Sequence, residues 1–328
     1  MPVLAIANQK GGVGKTTTAV NLAAALARAG RRVLLIDCDA QSNASSALGA
    51  PPNAQAGALP SIYDVLAESA QISECVLQSA HEGLSFVPAS PDLAGGEIEL
   101  ALSEEREFRL RQAIAPLRHA YDDVLLDCSP SLGLLTLNTL TAADGVLIPV
   151  QCEYMALEGL SHLTSTIERV RENLNPSLAI VGLLLTMYDS RTKLAQAVVD
   201  EVRAHFPQTF TTVIPRSVRL SEAPSHSKTV FEYAPQSRGA EAYADLAAEL
   251  IARLAPAPSE AAGPHSVAPT TDVGTPIPSA AQPAGKTPPD SVDPPPIAQP
   301  EAAQPDTKES RPARATPALP GTIVGGAV

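Results

Sequence analysis

Positive charge is scarce in this 328-residue sequence: 23 Lys and Arg stand against 35 Asp and Glu, a formal net charge of −12. That balance excludes a protein that coats nucleic acid with its whole surface, so any contact with a polyanion has to be local. Paired cysteines are missing too. Cys38, Cys75, Cys128 and Cys152 show no C-x-x-C spacing, and three of them lie in or beside apolar runs. The pattern points to buried thiols in a reducing compartment rather than to disulfides or a metal site. No stretch resembles a signal peptide or the apolar run of about 18 residues that a membrane span needs. The expectation is a cytoplasmic protein with no membrane partner.

Aromatic residues are few and unevenly placed. The sequence holds 5 Phe and 6 Tyr, none of them beyond residue 254, whereas 17 of its 31 prolines fall from Ala255 onward in runs such as "DPPPIAQP". No core can be built from the latter composition. We therefore expect a folded part over 1–254 and an extended, disordered tail over 255–328, serving as a spacer or as a docking segment. The folded part carries 19 basic and 28 acidic residues, but residues 186–238 hold seven Lys or Arg against five Asp or Glu. A local cationic surface has its best footing there.

What is present in quantity is short apolar runs. "VLAIA" (3–7) stops at a polar loop, and "KTTTAVNLAAALARAG" then carries apolar residues at helical spacing and ends at Gly30, a C-terminal cap signal. The strand signature returns in "RRVLLID", "LSFVPA", "DDVLLD", "GVLIPV" and "LAIVGLLLTM", with helical segments near 104–119, 155–174 and 237–254. Runs without alternation imply strands covered on both faces, hence a doubly wound α/β fold with a mostly parallel sheet and helices on both sides. Ligands of such sheets bind at the carboxyl ends of the strands. The loop 8–16, Asp37 with Asp39, and Asp127 all fall at such ends.

Gly14-Lys15-Thr16 ends the loop as a phosphate-binding motif requires, although Gln9 stands where the ordinary pattern has glycine. The run Gly11, Gly12, Val13, Gly14 lets consecutive backbone N–H groups turn inward while the following helix aims its positive end at the same anion. Lys15 would neutralise β and γ phosphates, Thr16 would offer its hydroxyl to Mg²⁺, and Thr17 would donate to a phosphate oxygen.

Lys10 has no place in that pattern. "KGGVGKTT" is a deviant Walker A signature, and with it the chain resembles the ParA/Soj branch of the ParA/MinD ATPases. The resemblance extends over nearly all of 1–254 through "LLIDCDAQSNAS", "VLLDCSPSLGLLTLNTLTAAD", "IPVQCEYMALEGL", "LLLTMYDSRTKL" and "IPRSVRLSEAPSHSKTVFEYAPQSRGAEAY". It implies a deviant P-loop NTPase that uses ATP and Mg²⁺ and forms an ATP-dependent homodimer. Lys10 would cross to the partner's phosphates as an arginine finger does. The catalytic set implied is Lys10, Lys15 and Asp39, with Asp39 positioning the attacking water, Asp37 nearer the metal and Asp127 holding Mg²⁺ through water. Each acid could instead simply cap a strand end or a helix start. Pro215 and Ser217 would contact the adenine; relatives usually carry Asn where Ser217 stands, so one hydroxyl replaces an amide there.

The same resemblance puts Arg191 and Arg219 on a surface that binds nucleoid DNA without sequence preference; Lys193, Arg216 and Lys228 join them on nearness in sequence alone. Ion pairs with Asp189, Asp200 or Glu222 are the alternative use of these cations. With the first strand at the very start, an N-terminal operator-binding domain is not expected. The function implied is chromosome or plasmid segregation with a ParB-like partner that stimulates hydrolysis, or else positioning of a protein cargo such as a chemoreceptor or carboxysome cluster. A MinD-type membrane cycle would need an amphipathic C-terminal helix, which "PGTIVGGAV" cannot supply. An iron-protein reductase would need a pair of cluster cysteines.

Overall fold

The computed structural model describes residues 1–255 except 56, 154 and 155; the tail expected over 255–328 otherwise lies outside the described residues. Eight strands form one sheet: β1 Val3–Ile6, β2 Val33–Cys38, β3 Leu77–Gln78, β4 Leu84–Val87, β5 Asp123–Cys128, β6 Gly145–Gln151, β7 Ala179–Tyr188 and β8 Val213–Pro215. Their order is β3-β4-β2-β5-β1-β6-β7-β8, parallel throughout except where β3 lies antiparallel to β4 at the edge. The doubly wound expectation is met.

Unbroken apolar runs build this sheet because each strand feeds two cores. Val3, Ala5, Leu34, Ile36, Val124 and Leu126 point into one layer, and Leu4, Ile6, Val33, Leu35 and Leu125 into the other. Against the second layer pack the helices Lys15–Arg28 and Arg238–Leu254, through Leu22, Leu26, Tyr243 and Leu246. Against the first pack Ala156–Asn173 and Lys193–His205, through Leu163, Ile167, Val199 and Val202. Gly30, in the left-handed region at φ 84°, closes the first helix by returning its N–H to the Ala27 carbonyl.

Two expectations need correction. The segment 104–119 is α-helical only over Arg109–Ile114 and continues as a 3₁₀ turn over Ala115–His119. Glu105 takes a positive φ before it, and Pro116, which has no N–H to donate, stops the α ladder. The strands β3 and β8 were not among the runs read as strands; at two and three residues they are too short to show a period.

Candidate functional site

The register of the central strands sets the site. β5 lies between β1 and β2, and Asp37 of β2 stands directly opposite Asp127 of β5. Both carboxylates are therefore at strand ends beside the loop that follows β1, and both are buried.

Their surroundings differ. Asp37 accepts the Ser45 hydroxyl at 2.7 Å, the Ser45 N–H at 2.8 Å and the Asp39 N–H at 3.2 Å. Its carboxylate thus anchors the start of the short helix Asn43–Ala47, the structural use foreseen for such an acid. Burial still pushes its pKa up to about 6, against the pull of those donors. Asp127 is fully buried, and neither of its oxygens completes a hydrogen bond. Burial, then the neighbouring Asp37, drive its pKa well up, while the nearby Thr16 hydroxyl and the Lys15 charge pull the other way. Asp39 accepts the Gln41 N–H at 3.0 Å through one oxygen.

The loop itself is pinned from several sides. Asn8 donates to the Pro149 carbonyl of β6 at 2.7 Å and accepts the Lys10 N–H at 3.0 Å, which fixes where the loop leaves β1. Gly12 and Gly14 take φ of 75° and 91°, and a β-carbon on Gly11 or Gly12 would meet nothing within 4 Å. Beside Gly11 and Gly12 the loop therefore borders open space with backbone alone. Across it the two lysines part company. Lys15 is only 7% exposed and donates from Nζ to the Lys10 carbonyl at 3.3 Å, with its pKa lowered by burial. The Lys10 ammonium lies at the surface, 3.6 Å from Glu153.

Pro215 and Ser217 come together with Gly14 and Thr17 in one pocket, to which Met187 and Tyr243 also contribute walls. Tyr243 and Thr18 share a hydrogen bond of 3.2 Å beneath it. The structure therefore gathers Lys10, Lys15, the glycines, Thr16, Thr17, Asp37, Asp39, Asp127, Pro215 and Ser217 at one end of the sheet.

The cations of 186–238 are arranged otherwise. Arg191 grips its neighbour Asp189 in a bidentate pair, donating from Nε at 2.9 Å and from Nη2 at 2.6 Å, and holds that carboxyl well below the usual range, with Arg216 adding to the effect. Arg219 donates to Glu222 at 2.9 Å, and Arg216 lies 4.0 Å from Glu153. Lys193 and Lys228 are exposed and have no ion-pair partner among the described residues. Two of the three foreseen carboxylate partners, Asp189 and Glu222, are thus in use, and Asp200 instead accepts from Gln196.

Sequence reasoning missed Asn8, Ser45, Glu153 and Thr186, whose hydroxyl donates to the Val13 carbonyl at 2.8 Å. A polar residue ending an apolar run, as Thr186 does in "LLLT", was the one signal available.

This geometry fits a nucleotide with its metal ion. Asp127 is a buried acid that completes no hydrogen bond although the Thr16 hydroxyl is near, the Gln9 amide nitrogen is likewise buried and unpartnered, and open space borders Gly11 and Gly12. Fold and site together define a P-loop ATPase with an additional lysine in its phosphate loop.

The comparisons agree. A family model described as an AAA domain matches residues 1–180. The chain is 53% identical over 255 residues to the chromosome partitioning protein ParA of Myxococcus xanthus, covering 77% of this chain and 89% of that one. It is 52% identical over 251 residues to the sporulation initiation inhibitor protein Soj of Bacillus subtilis, covering 76% and 98%. Among solved structures it is similar to a cobyrinic acid a,c-diamide synthase from Mycobacterium smegmatis with bound ATP analog and magnesium, at 38% identity and TM-score 0.66, covering 76% and 93%. The cell division ATPase MinD of Pyrococcus furiosus matches at 26% identity and TM-score 0.64, covering 77% and 99%. The chain belongs to the ParA/Soj family of chromosome-partitioning ATPases, and its cofactors are ATP and Mg²⁺.

A second model, 4Fe-4S iron sulfur cluster binding proteins of the NifH/frxC family, matches residues 123–262. The cysteines in that stretch are Cys128 and Cys152. Both are buried in the core, where burial pushes their thiols up to about 12 and about 11. Among the described residues no helix is long and apolar enough to cross a membrane.

Proposed function

We propose that this chain is a nucleotide-switched DNA binder: ATP makes it a dimer, the dimer holds nucleoid DNA without sequence preference, and a ParB-like partner stimulates hydrolysis to release it. Residues 1–254 form the ATPase unit. The backbone of Gly11–Gly14 with Lys15 and Thr17 holds the phosphates, Thr16 and Asp127 hold Mg²⁺ with Asp37 behind them, and Asp39 orients the attacking water. Mg²⁺, when bound, neutralises charge on the phosphoryl oxygens. Pro215 and Ser217 flank the base.

The observation that carries this proposal is the division between the lysines. Lys15 is turned under the loop, while Lys10 leaves its ammonium at the surface with a single carboxylate, Glu153, for company. An exposed pair of this kind contributes no more than about 1 kcal/mol, so a triphosphate on a second subunit can outcompete it. The Arg219–Glu222 pair is of the same exposed class, and Arg191, though bidentate on Asp189, keeps its guanidinium largely exposed, so a polyphosphate backbone can compete with both carboxylates. Doubling such a surface by dimerisation raises its avidity without any new kind of interaction.

Retention on DNA with ATP, with ADP and without nucleotide, at two salt concentrations, tests this. Retention should require ATP and fall by about tenfold or more between 50 and 200 mM salt, and Arg219→Ala should flatten the salt slope by about one for each phosphate left unneutralised. Retention that ignores nucleotide would contradict the proposal.

A further inference from the structure

We infer that Thr186 is a positioning residue for ATP: it acts on the nucleotide through the backbone of Val13, by aiming the Gly14 N–H at the phosphates. The inference rests on the phosphate-loop assignment under the proposed function.

Val13 lies between two glycines in the left-handed region, Gly12 and Gly14. Each of the two peptide planes that flank Val13 borders one residue with no β-carbon, so their rotation is only weakly restrained from within the loop. Something outside the loop has to fix them. In the helix that follows, the first N–H to close a turn is that of Thr18 onto the Gly14 carbonyl, which leaves the Val13 carbonyl to the Thr186 hydroxyl at 2.8 Å.

Thr186 is well suited to act as that post. It is 3% exposed, near the end of β7, and paired in register with Gln151 of β6. Its own carbonyl accepts the Cys152 N–H at 3.1 Å, and its methyl carbon would lie 4.0 Å from a β-carbon on Gly14. The strand that carries it is thus held from one side while its side chain reaches the loop. Since β6 separates β7 from β1, the hydroxyl anchors the loop at a point two strands away from the one that launches it.

The consequence follows from peptide geometry. The Val13 carbonyl and the Gly14 N–H share one planar trans unit and point in opposite directions. A carbonyl drawn toward β7 by the Thr186 hydroxyl sends that N–H to the side away from β7. Thr186 therefore touches no phosphate in this scheme and still sets a phosphate contact. Because the Gly14 N–H serves the bound nucleotide throughout the reaction, misaiming it weakens binding more than turnover.

The test is nucleotide binding and steady-state hydrolysis by the full chain carrying Thr186→Val, which keeps the shape and removes the hydroxyl, beside Thr186→Ser, which keeps the hydroxyl. With a fluorescent ATP analogue as probe, Thr186→Val should bind about tenfold more weakly, the size expected when one hydrogen bond to a charged phosphate is misaimed. KM should rise in step, kcat should stay within about twofold, and Thr186→Ser should restore wild-type affinity. Wild-type affinity in Thr186→Val, with only its melting temperature lowered, would mark a structural residue and overturn the inference. So would a fall in kcat at unchanged KM. Lys15→Ala separates this from the assignment beneath it. If that variant binds as wild type, the phosphate loop itself is misassigned; if it alone loses the nucleotide, only the role of Thr186 fails.

Discussion

The phosphate-loop end of the sheet and the cationic segment 186–238 handle polar groups in opposite ways. At the first, polar atoms are buried and some are left without partners, as at Asp127 and the Gln9 amide. At the second, Arg191, Arg219 and Arg216 are exposed and already face carboxylates. Burial makes an unpaired group costly, so an orphan there points to a ligand. Exposure makes a pair cheap, so an ion pair there neither proves nor disproves a binding role. One region is specified by what it is missing, the other by what it can exchange.

The sharpest way to break that contrast is Asp39→Ala. Asp39 lies in the buried region and has one oxygen committed to the Gln41 N–H. Removing a group that orients the attacking water should lower kcat by about a hundredfold or more while ATP binding stays within a few-fold. Single-turnover hydrolysis with a parallel binding titration measures both, and turnover at the wild-type rate would remove Asp39 from the mechanism.

A smaller effect is expected at Asp127. A carboxyl whose pKa rises on folding takes up a proton as the chain folds, so it weighs against the folded state increasingly as pH climbs from the unfolded value near 4. For Asp37 that weakening continues to about pH 6, and Asp127 shifts in the same direction. Without nucleotide, wild-type melting temperature should therefore carry a falling component between pH 4 and 6. Asp127→Asn should flatten it and melt higher than wild type at pH 7.5, yet lose Mg²⁺-dependent hydrolysis. An Asp127→Asn protein that melts lower at every pH would mean that the carboxylate is satisfied and structural.

Legibility in the sequence followed the same division. The loop and its helix were readable because one short segment contains the whole pattern, the strands because unbroken apolar runs have few other uses, and the position of Asp127 because it ends such a run, its role coming from the resemblance. Pro215 and Ser217 reached the pocket through resemblance, not through any local signal. Asn8, Thr186 and Glu153 were not readable: each acts on a residue brought near by the order of β1, β6 and β7, and nothing along the chain announces that neighbourhood. The ion pairs of Arg191 and Arg219 were foreseen only as alternatives, since an exposed guanidinium within three residues of an acid can pair or stay hydrated with little difference in energy.

The central claim is that a partner's Lys10 completes the nucleotide site, and solution mass with and without ATP tests it most directly. Measured by sedimentation in an Asp39→Ala background, so that ATP persists, the chain should pass from monomer to dimer on adding Mg²⁺-ATP. The same chain with Lys10→Ala should bind ATP equally well and remain monomeric at the same concentration. Equal dimerisation with and without the Lys10 ammonium, or no dimer in either, would contradict the account.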